Sequence, residues 1–275
     1  MSVSGCLSFR AHDRKSSTAA AFSSTELLAV LGVLGLLAVL EVSALAHNKG
    51  NSQRAVCADN LRRLALSWLM YADDNRGRLA PNRPGGNTND WVASPFDSPV
   101  SGPDDPRTIT LARLYPYNKA IAIYRCPEDL WAVNHPRTGL RMNVRSYSMN
   151  GWVGDGALGW VATPDVFQKM VRHFQVRQPD QTFVFLEEHF DSINDGVFVV
   201  DEYDVGRNAR LIDFPAAYHA LGANLGFADG SVRFRQWVDA RTTPPLTITG
   251  TLTLNVASPN NPDVAWLQRI TTYHK

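Results

Sequence analysis

An uncharged apolar run near the amino terminus constrains this chain more than any other feature. Residues 27–40 carry no charged side chain, and they lie between Glu26 and Glu41. A helix that crosses a membrane needs about 20 apolar residues. A membrane-spanning helix here must therefore include residues that flank the run, and with them the carboxylate of a glutamate. A carboxylate inside a bilayer is costly unless it has a partner. The run therefore predicts a transmembrane helix only if one acid is neutralised.

Glu26 gains a partner if the chain is cut between Ala21 and Phe22. The new α-amino group of Phe22 is a cation, and Glu26 becomes the fifth residue of the mature chain. The amine of one subunit then neutralises Glu26 of its neighbour. Three basic residues precede the run, as in a leader peptide: Arg10, Arg14 and Lys15.

A small residue, then Phe, then Glu four positions later at the start of an apolar helix resembles the amino terminus of type IV prepilins and type II secretion pseudopilins. The resemblance implies cleavage by a prepilin peptidase, N-methylation of Phe22 and assembly with other pilin-like subunits into a filament. It also implies a single-pass protein of the bacterial inner membrane with a periplasmic head, or a subunit of an extracellular filament. The chain departs from the family pattern at Ala21, where Gly is usual, and at Glu41, an extra charge.

A second interpretation of the same residues is an ordinary secretory signal. Residues 44–46 form an A-x-A cleavage site before His47. Cleavage there would release a soluble secreted protein that binds a glycan or a surface, and several tryptophans offer aromatic platforms for it: Trp91, Trp131, Trp152 and Trp160. This interpretation leaves Glu26 unexplained, so the pseudopilin-like filament subunit is favoured.

The composition limits the partners and the redox state. The chain has 275 residues and a formal net charge of +1, without a long basic run beyond the leader, which argues against nucleic acid as a partner. Cys6 lies before the proposed cut, so Cys57 and Cys126 remain as an even pair. An exported domain occupies an oxidising compartment, which predicts a Cys57–Cys126 disulfide. Two buried thiols are the alternative.

The pattern beyond the apolar run predicts that the same helix continues to about Asp74. Apolar residues recur there at spacings of three and four, namely Cys57, Leu61, Leu64, Trp68 and Ala72. Residues 79–118 are rich in Pro, Gly, Asn and Asp, and they predict a long surface connection that carries Trp91 and Phe96.

Strand and turn signals dominate the second half of the chain. Residues 182–187 and 197–200 are β-rich, and Asp229-Gly230 is typical of a two-residue hairpin loop. That loop would pair Leu225 with Phe234 and place the large apolar side chains on one face, against the helix. Residues 261–263, Asn-Pro-Asp, predict the start of a short closing helix.

These signals together predict an α+β, pilin-like fold. A long N-terminal transmembrane helix would pack on an antiparallel β-sheet head with irregular insertions. The predicted parts are a leader at 1–21, a transmembrane or filament-core half of the helix at 22–46, and an exported head at 47–275, which includes the outer half of the helix.

His219 precedes Asp229-Gly230 by nine residues. This H-x9-D-G spacing, with the N-terminal stretch, is similar to a prepilin-type group of planctomycete and verrucomicrobial bacteria, and phrases such as Tyr124-Arg125-Cys126-Pro127 add to the likeness. We predict separate roles, in which Asp229 shapes the turn and His219 lies at the far end of the hairpin. A structural hydrogen bond is the favoured role of His219, and a metal or partner contact is the alternative.

The acidic stretch from Glu187 to Asp195 is the best candidate for a Ca²⁺ site, because oxygen ligands from a turn suit this ion. It lacks the alternating spacing of a Ca²⁺ loop, so a solvated acidic turn is favoured and no metal ligand is assigned. A hydrolase centre of Glu188, His189, His219 and Asp229 rests on residue type alone. With no H-E-x-x-H or G-x-S-x-G motif, we predict no enzyme and no catalytic residue.

Overall fold

The computed structural model describes residues 24–93, 104–129, 132–135, 139–156, 166–247 and 252–275. The predicted leader, with Ala21 and Phe22, lies outside these residues, as do Phe96, Trp131 and Trp160. The chain divides into two compact units, Met1–Asn48 and Lys49–Lys275.

Helix α1, Ser24–Asp74, ends where the sequence predicts. The residues of the predicted apolar stripe are all buried, with Cys57, Leu61, Leu64 and Trp68 at 0% exposure and Ala72 at 1%. The 3.6-residue period of the helix places them on one side, facing the core of the Lys49–Lys275 unit. The amphipathic half of the predicted helix is therefore confirmed.

The prediction of a transmembrane helix is wrong. Among the described residues, no helix has the length and the apolar character that a membrane crossing requires. The uncharged run at 27–40 explains the shortfall: at 1.5 Å per residue it extends about 21 Å, against a hydrocarbon layer of roughly 30 Å.

The other helices and the strands of the described residues are short. Three further α-helices are α2, Arg107–Thr110, α3, Tyr115–Asn118, and α4, Pro262–Thr271. The strands are β1, Ala132–His135; β2, Gly139–Met142; β3, Tyr147–Asn150; β4, Phe183–Glu187; β5, Val197–Phe198; β6, Arg210–Leu211; β7, Gly222–Phe227; β8, Val232–Gln236; and β9, Val256–Ala257. The pairs β1–β2 and β6–β9 form two small antiparallel sheets.

The central sheet has five strands in the order β5-β3-β4-β7-β8, and it is mixed. Strands β3, β4, β7 and β8 pair antiparallel, whereas β5 runs parallel to β3, with Met149 opposite Val197. The predicted purely antiparallel head is therefore wrong. After β4 the chain reverses its direction and continues to the far side of β3. Strand β5 therefore runs antiparallel to β4 and parallel to its neighbour β3.

The hairpin β7–β8 has a different register from the predicted one. Its loop has three residues, because the Phe227 N–H donates to the Ser231 carbonyl, and Gly230 takes a positive φ of 85°. Leu225 therefore pairs with Arg233 rather than with Phe234. A slip of one residue exchanges the faces of a strand, so the predicted single apolar face is wrong.

Different helices pack on the two faces of the central sheet. Gly226 of β7 approaches α1, where a β-carbon would lie 3.6 Å from the Leu61 carbonyl oxygen. Leu225 and Phe227, on the opposite face, pack with Leu267 of α4. Helix α4 starts as predicted, since the Asn261 side chain accepts hydrogen bonds from the first-turn backbone N–H groups.

The region at 79–118 is not a surface connection throughout. Trp91 is fully buried, and its indole N–H lies 3.1 Å from Asn82 Oδ1 and 3.0 Å from the Gly196 carbonyl oxygen. Residues Ile121–Tyr124 form a 3₁₀ helix. Buried aromatic packing, which local composition does not reveal, accounts for the difference.

Glu202 makes the stability of the head depend on pH. It is 6% exposed, and burial, with the charge of Asp201, raises its pKa from 4.5 to about 9. A raised carboxyl pKa gives stability that is complete below the unfolded pKa and is lost as pH rises through the folded pKa. Between pH 5 and 9 we expect wild type to lose a few kcal/mol of unfolding free energy more than Glu202→Gln loses. Urea unfolding of both proteins at each pH measures this, and equal pH slopes would contradict it.

Candidate functional site

Four side chains of types that can bind a metal ion come together from distant segments of the chain. They are Cys57, Cys126, Glu187 and His219, and their ligand atoms all lie within 4.8 Å of one another. We call them the buried cluster. The two cysteines and Glu187 are 0% exposed and His219 is 4% exposed, so the cluster is closed to solvent.

The cysteines reach the cluster from two segments. Cys57 is the first residue of the buried stripe of α1. Cys126 follows the 3₁₀ turn Ile121–Tyr124, and its backbone N–H donates to Ser146 Oγ over 3.1 Å. The Ser146 N–H in turn donates to the Tyr124 carbonyl oxygen. These bonds join the segment at Cys126 to the residue that precedes β3.

Glu187 and His219 are placed by the sheet. Glu187 is the last residue of β4, the central strand, whose side chains are all buried. His219 precedes β7, and a tight reversal at Ala220 and Leu221 separates it from the strand, since both take positive φ values of 50° and 61°. The His219 N–H donates to the Gly222 carbonyl oxygen across this reversal.

The carboxylate of Glu187 is the centre of the contacts. Its Oε1 accepts a hydrogen bond from the Cys57 thiol and lies 2.8 Å from His219 Nε2. Its Oε2 accepts from the backbone N–H of Asn224 over 2.5 Å. His219 Nε2 also lies 3.4 Å from Cys126 Sγ. One imidazole nitrogen thus faces both a carboxylate and a sulfur.

Two further groups border the cluster. The hydroxyl oxygen of Tyr147 lies 3.0 Å from Cys57 Sγ. Glu128 Oε2 lies 2.8 Å from the second ring nitrogen of His219, Nδ1. That separation suits an ion pair, although the two atoms do not meet the angular geometry of a hydrogen bond. Both ring nitrogens of His219 therefore face carboxylates.

Burial and neighbouring groups shift the pKa values of two members of the cluster, Cys57 and His219. Burial, followed by the interactions with Cys126 and Glu187, raises the pKa of the Cys57 thiol well above its usual value. Burial opposes a charged imidazole at His219, but hydrogen bonds and charges from Cys126 and Glu187 outweigh it and raise its pKa to about 10. The surroundings thus favour the neutral thiol at Cys57 and the charged imidazole at His219.

Cys57 and Cys126 lie close together, as a disulfide between them would require, but no bond joins them in this structure. Cys57 and Cys126 are free thiols. Each sulfur has another partner, because Cys57 contacts Glu187 and Cys126 contacts His219. The alternative of two buried thiols is the one observed.

The predicted separation of His219 from Asp229 is confirmed. Asp229 Oδ1 accepts from the Ser231 N–H over 2.8 Å within the hairpin loop, so Asp229 shapes the turn. His219 lies beyond the opposite end of β7. The D-G part of the H-x9-D-G motif therefore serves the hairpin, and Gly230 supplies its left-handed residue.

The first part of the acidic stretch after β4 is buried rather than solvated, which corrects the predicted turn there, whereas Asn194 is exposed. Glu188, His189 and Asp191 are at most 6% exposed. Glu188 accepts from the Ser192 hydroxyl, and His189 Nε2 lies 3.1 Å from the Pro244 carbonyl oxygen. Within the described part of the chain, only the buried cluster brings together three or more ligand atoms of His, Cys, Asp or Glu.

Glu187 is the member of the cluster whose role the sequence reasoning missed. Its hydrogen-bonded partners Cys57 and His219 lie 130 and 32 residues away, so no local spacing marks them as a set. The even pair of cysteines and the motif histidine are the only sequence signals for it. No protein-family model, no curated protein and no solved structure matches the chain.

The state of the two thiols gives a direct test of the site. We expect iodoacetamide to leave Cys57 and Cys126 unmodified in the folded protein, since both are fully buried. After unfolding in denaturant with a chelator and no reductant, both should be alkylated, as peptide mass spectrometry would detect. Two cysteines that resist alkylation until a reductant is added would show a disulfide instead.

Proposed function

We propose that this chain is a pseudopilin-like structural subunit, matured by a prepilin peptidase and assembled into a filament through the first part of α1. One observation carries the proposal: large apolar side chains are exposed along that part of the helix. The leucines among them are Leu27, Leu28, Leu31, Leu34 and Leu36, with exposures between 54% and 68%.

The distribution of these side chains favours several neighbours rather than one. At 100° per residue, Leu27, Leu31 and Leu34 share one side of α1, while Leu28, Val33 and Leu36 point to other sides. A helix that is apolar all round is buried within a bundle. Each leucine that is fully covered contributes about 1.5–3 kcal/mol, so a filament core of packed helices would bury most of this surface.

The charged groups at the start of this segment favour copies of the same chain as its neighbours in the filament. Glu26 is exposed in the first turn of α1, where an acid suits the positive end of the helix dipole. Cleavage after Ala21 would place the cationic amine of Phe22 four residues before it. In staggered helices, the amine of one subunit would then neutralise Glu26 of the next.

A structural role also agrees with the burial of the aromatic side chains. Trp91 and Trp152, which the alternative of a glycan-binding protein would place on a surface, are both 0% exposed. Their indole N–H groups donate within the core, that of Trp152 to the Val200 carbonyl oxygen. These two rings support the fold of the head and offer no platform to a ligand.

Cleavage by a prepilin peptidase can be tested by measuring the mass of the processed protein. Co-expression of the full chain with a prepilin peptidase should yield a product that begins at methylated Phe22, as intact mass and N-terminal sequencing would show. Ala21→Trp should block cleavage, because the peptidase pattern needs a small residue before the cut. Ala21→Gly, which restores the usual residue, is the matched control and should be cut at least as well as wild type. A product that begins at His47 would contradict the proposal.

Filament assembly can be tested by placing one charged side chain in the exposed apolar part of α1. Leu31→Lys should abolish filaments in electron microscopy and sedimentation, because an ammonium group would have to be buried between helices. Leu111→Lys is the matched control: Leu31 and Leu111 are 55% and 57% exposed, but Leu111 lies in the Lys49–Lys275 unit. Normal filaments from Leu31→Lys, or equal loss from both variants, would count against assembly through this part of α1.

A further inference from the structure

The chemistry of the buried cluster is that of a metal ligand set. Two thiol sulfurs, one imidazole nitrogen and one carboxylate oxygen converge from four segments, with every pair of ligand atoms within 4.8 Å. We propose that Cys57, Cys126, Glu187 and His219 bind one structural Zn²⁺ ion. The proposal is independent of filament assembly.

The four ligand atoms lie close enough to surround one zinc ion, but the carboxylate of Glu187 would have to move away from Cys57 and His219 to complete a tetrahedron. Zn–S bonds of about 2.3 Å and Zn–N or Zn–O bonds of about 2.0–2.2 Å require ligand atoms roughly 3.3–3.8 Å apart. Cys126 Sγ and His219 Nε2 are already 3.4 Å apart. His219 Nε2 and Glu187 Oε1, at 2.8 Å, would have to separate by about 0.6 Å to admit the ion.

The groups around the cluster lie where the outer partners of a metal site are found. A zinc-bound histidine usually directs its other ring nitrogen at a carboxylate or a carbonyl. In His219 that nitrogen, Nδ1, lies 2.8 Å from Glu128 Oε2 while Nε2 faces the cluster. The backbone N–H of Asn224 holds Glu187 Oε2, which leaves Oε1 directed at the other ligands.

Protein hydrogen bonds alone satisfy the cluster poorly. His219 Nε2 carries at most one proton, yet it faces both Glu187 Oε1 and Cys126 Sγ. The Cys57 thiol is directed at the same carboxylate oxygen. A cation between the four groups would satisfy every one of them at once.

The ligand types select the metal. Thiolates favour zinc and disfavour Ca²⁺ and Mg²⁺, which take oxygen ligands. Four protein ligands in a site without solvent access fill a tetrahedral shell, which is the pattern of structural rather than catalytic zinc. Two thiolates and one carboxylate around Zn²⁺ give the site one net negative charge. The Tyr147 hydroxyl, 3.0 Å from Cys57 Sγ, can donate a hydrogen bond to this sulfur.

The wild-type protein gives the first test. The full chain, purified without a chelator after growth with zinc, should contain about one zinc per chain by plasma mass spectrometry. After removal of the zinc, added Co²⁺ should produce the visible bands of a tetrahedral site and an ultraviolet sulfur-to-cobalt charge-transfer band. The absence of both bound zinc and the charge-transfer band would overturn the proposal.

Variants separate this site from adventitious metal. Glu128→Gln should weaken zinc binding about 10- to 100-fold in competition with a chromophoric chelator, as expected for an outer partner of a ligand histidine. Cys126→Ser should weaken it further, and Cys6→Ser is the matched control that should leave affinity unchanged. A folded Cys126→Ser that retains wild-type affinity would contradict the assignment. If Cys126→Ser does not fold, the cobalt spectrum of wild type and the Glu128→Gln affinity still decide.

Discussion

The buried carboxylate of Glu187 is the interaction on which the head depends. It ends the central strand β4, and it contacts Cys57 of α1, His219 before β7 and the backbone of Asn224 within β7. A carboxylate at 0% exposure is costly to bury unless every oxygen has partners. Those partners come from the helix and from the sheet, so the hydrogen bonds that offset the cost of burying this acid also connect three segments of the chain. A zinc ion at this point would make the same connection with stronger bonds.

Helix α1 carries two different surfaces along one continuous element. Its later part has a narrow apolar stripe that completes the core of the Lys49–Lys275 unit. Its first part is apolar all round, with leucines more than half exposed. The stripe is covered within one chain, whereas the leucines of the first part are exposed, and neighbouring subunits would cover them in the proposed filament. The contrast between a satisfied and an unsatisfied surface on the same helix is what supports a subunit that assembles.

Local patterns predict the local elements and miss what long-range contacts decide. The stripe from Cys57 to Ala72, the end of α1 and the Asn261 cap follow from spacing and residue type, and the structure confirms them. The hairpin was placed correctly, but its register was wrong by one residue. Asp-Gly favours a two-residue loop, whereas here Gly226 must face α1 while Leu225 faces α4. The buried cluster could not be predicted from local sequence patterns, because Cys57 and Glu187 are 130 residues apart.

X-ray absorption at the zinc edge tests the central claim about Glu187 and its partners most directly. The claim predicts two sulfur scatterers at about 2.3 Å and two nitrogen or oxygen scatterers at about 2.0–2.2 Å around a four-coordinate ion. A first shell of nitrogen and oxygen atoms alone would place the zinc elsewhere on the protein, and would leave the cluster as a set of hydrogen-bonded side chains.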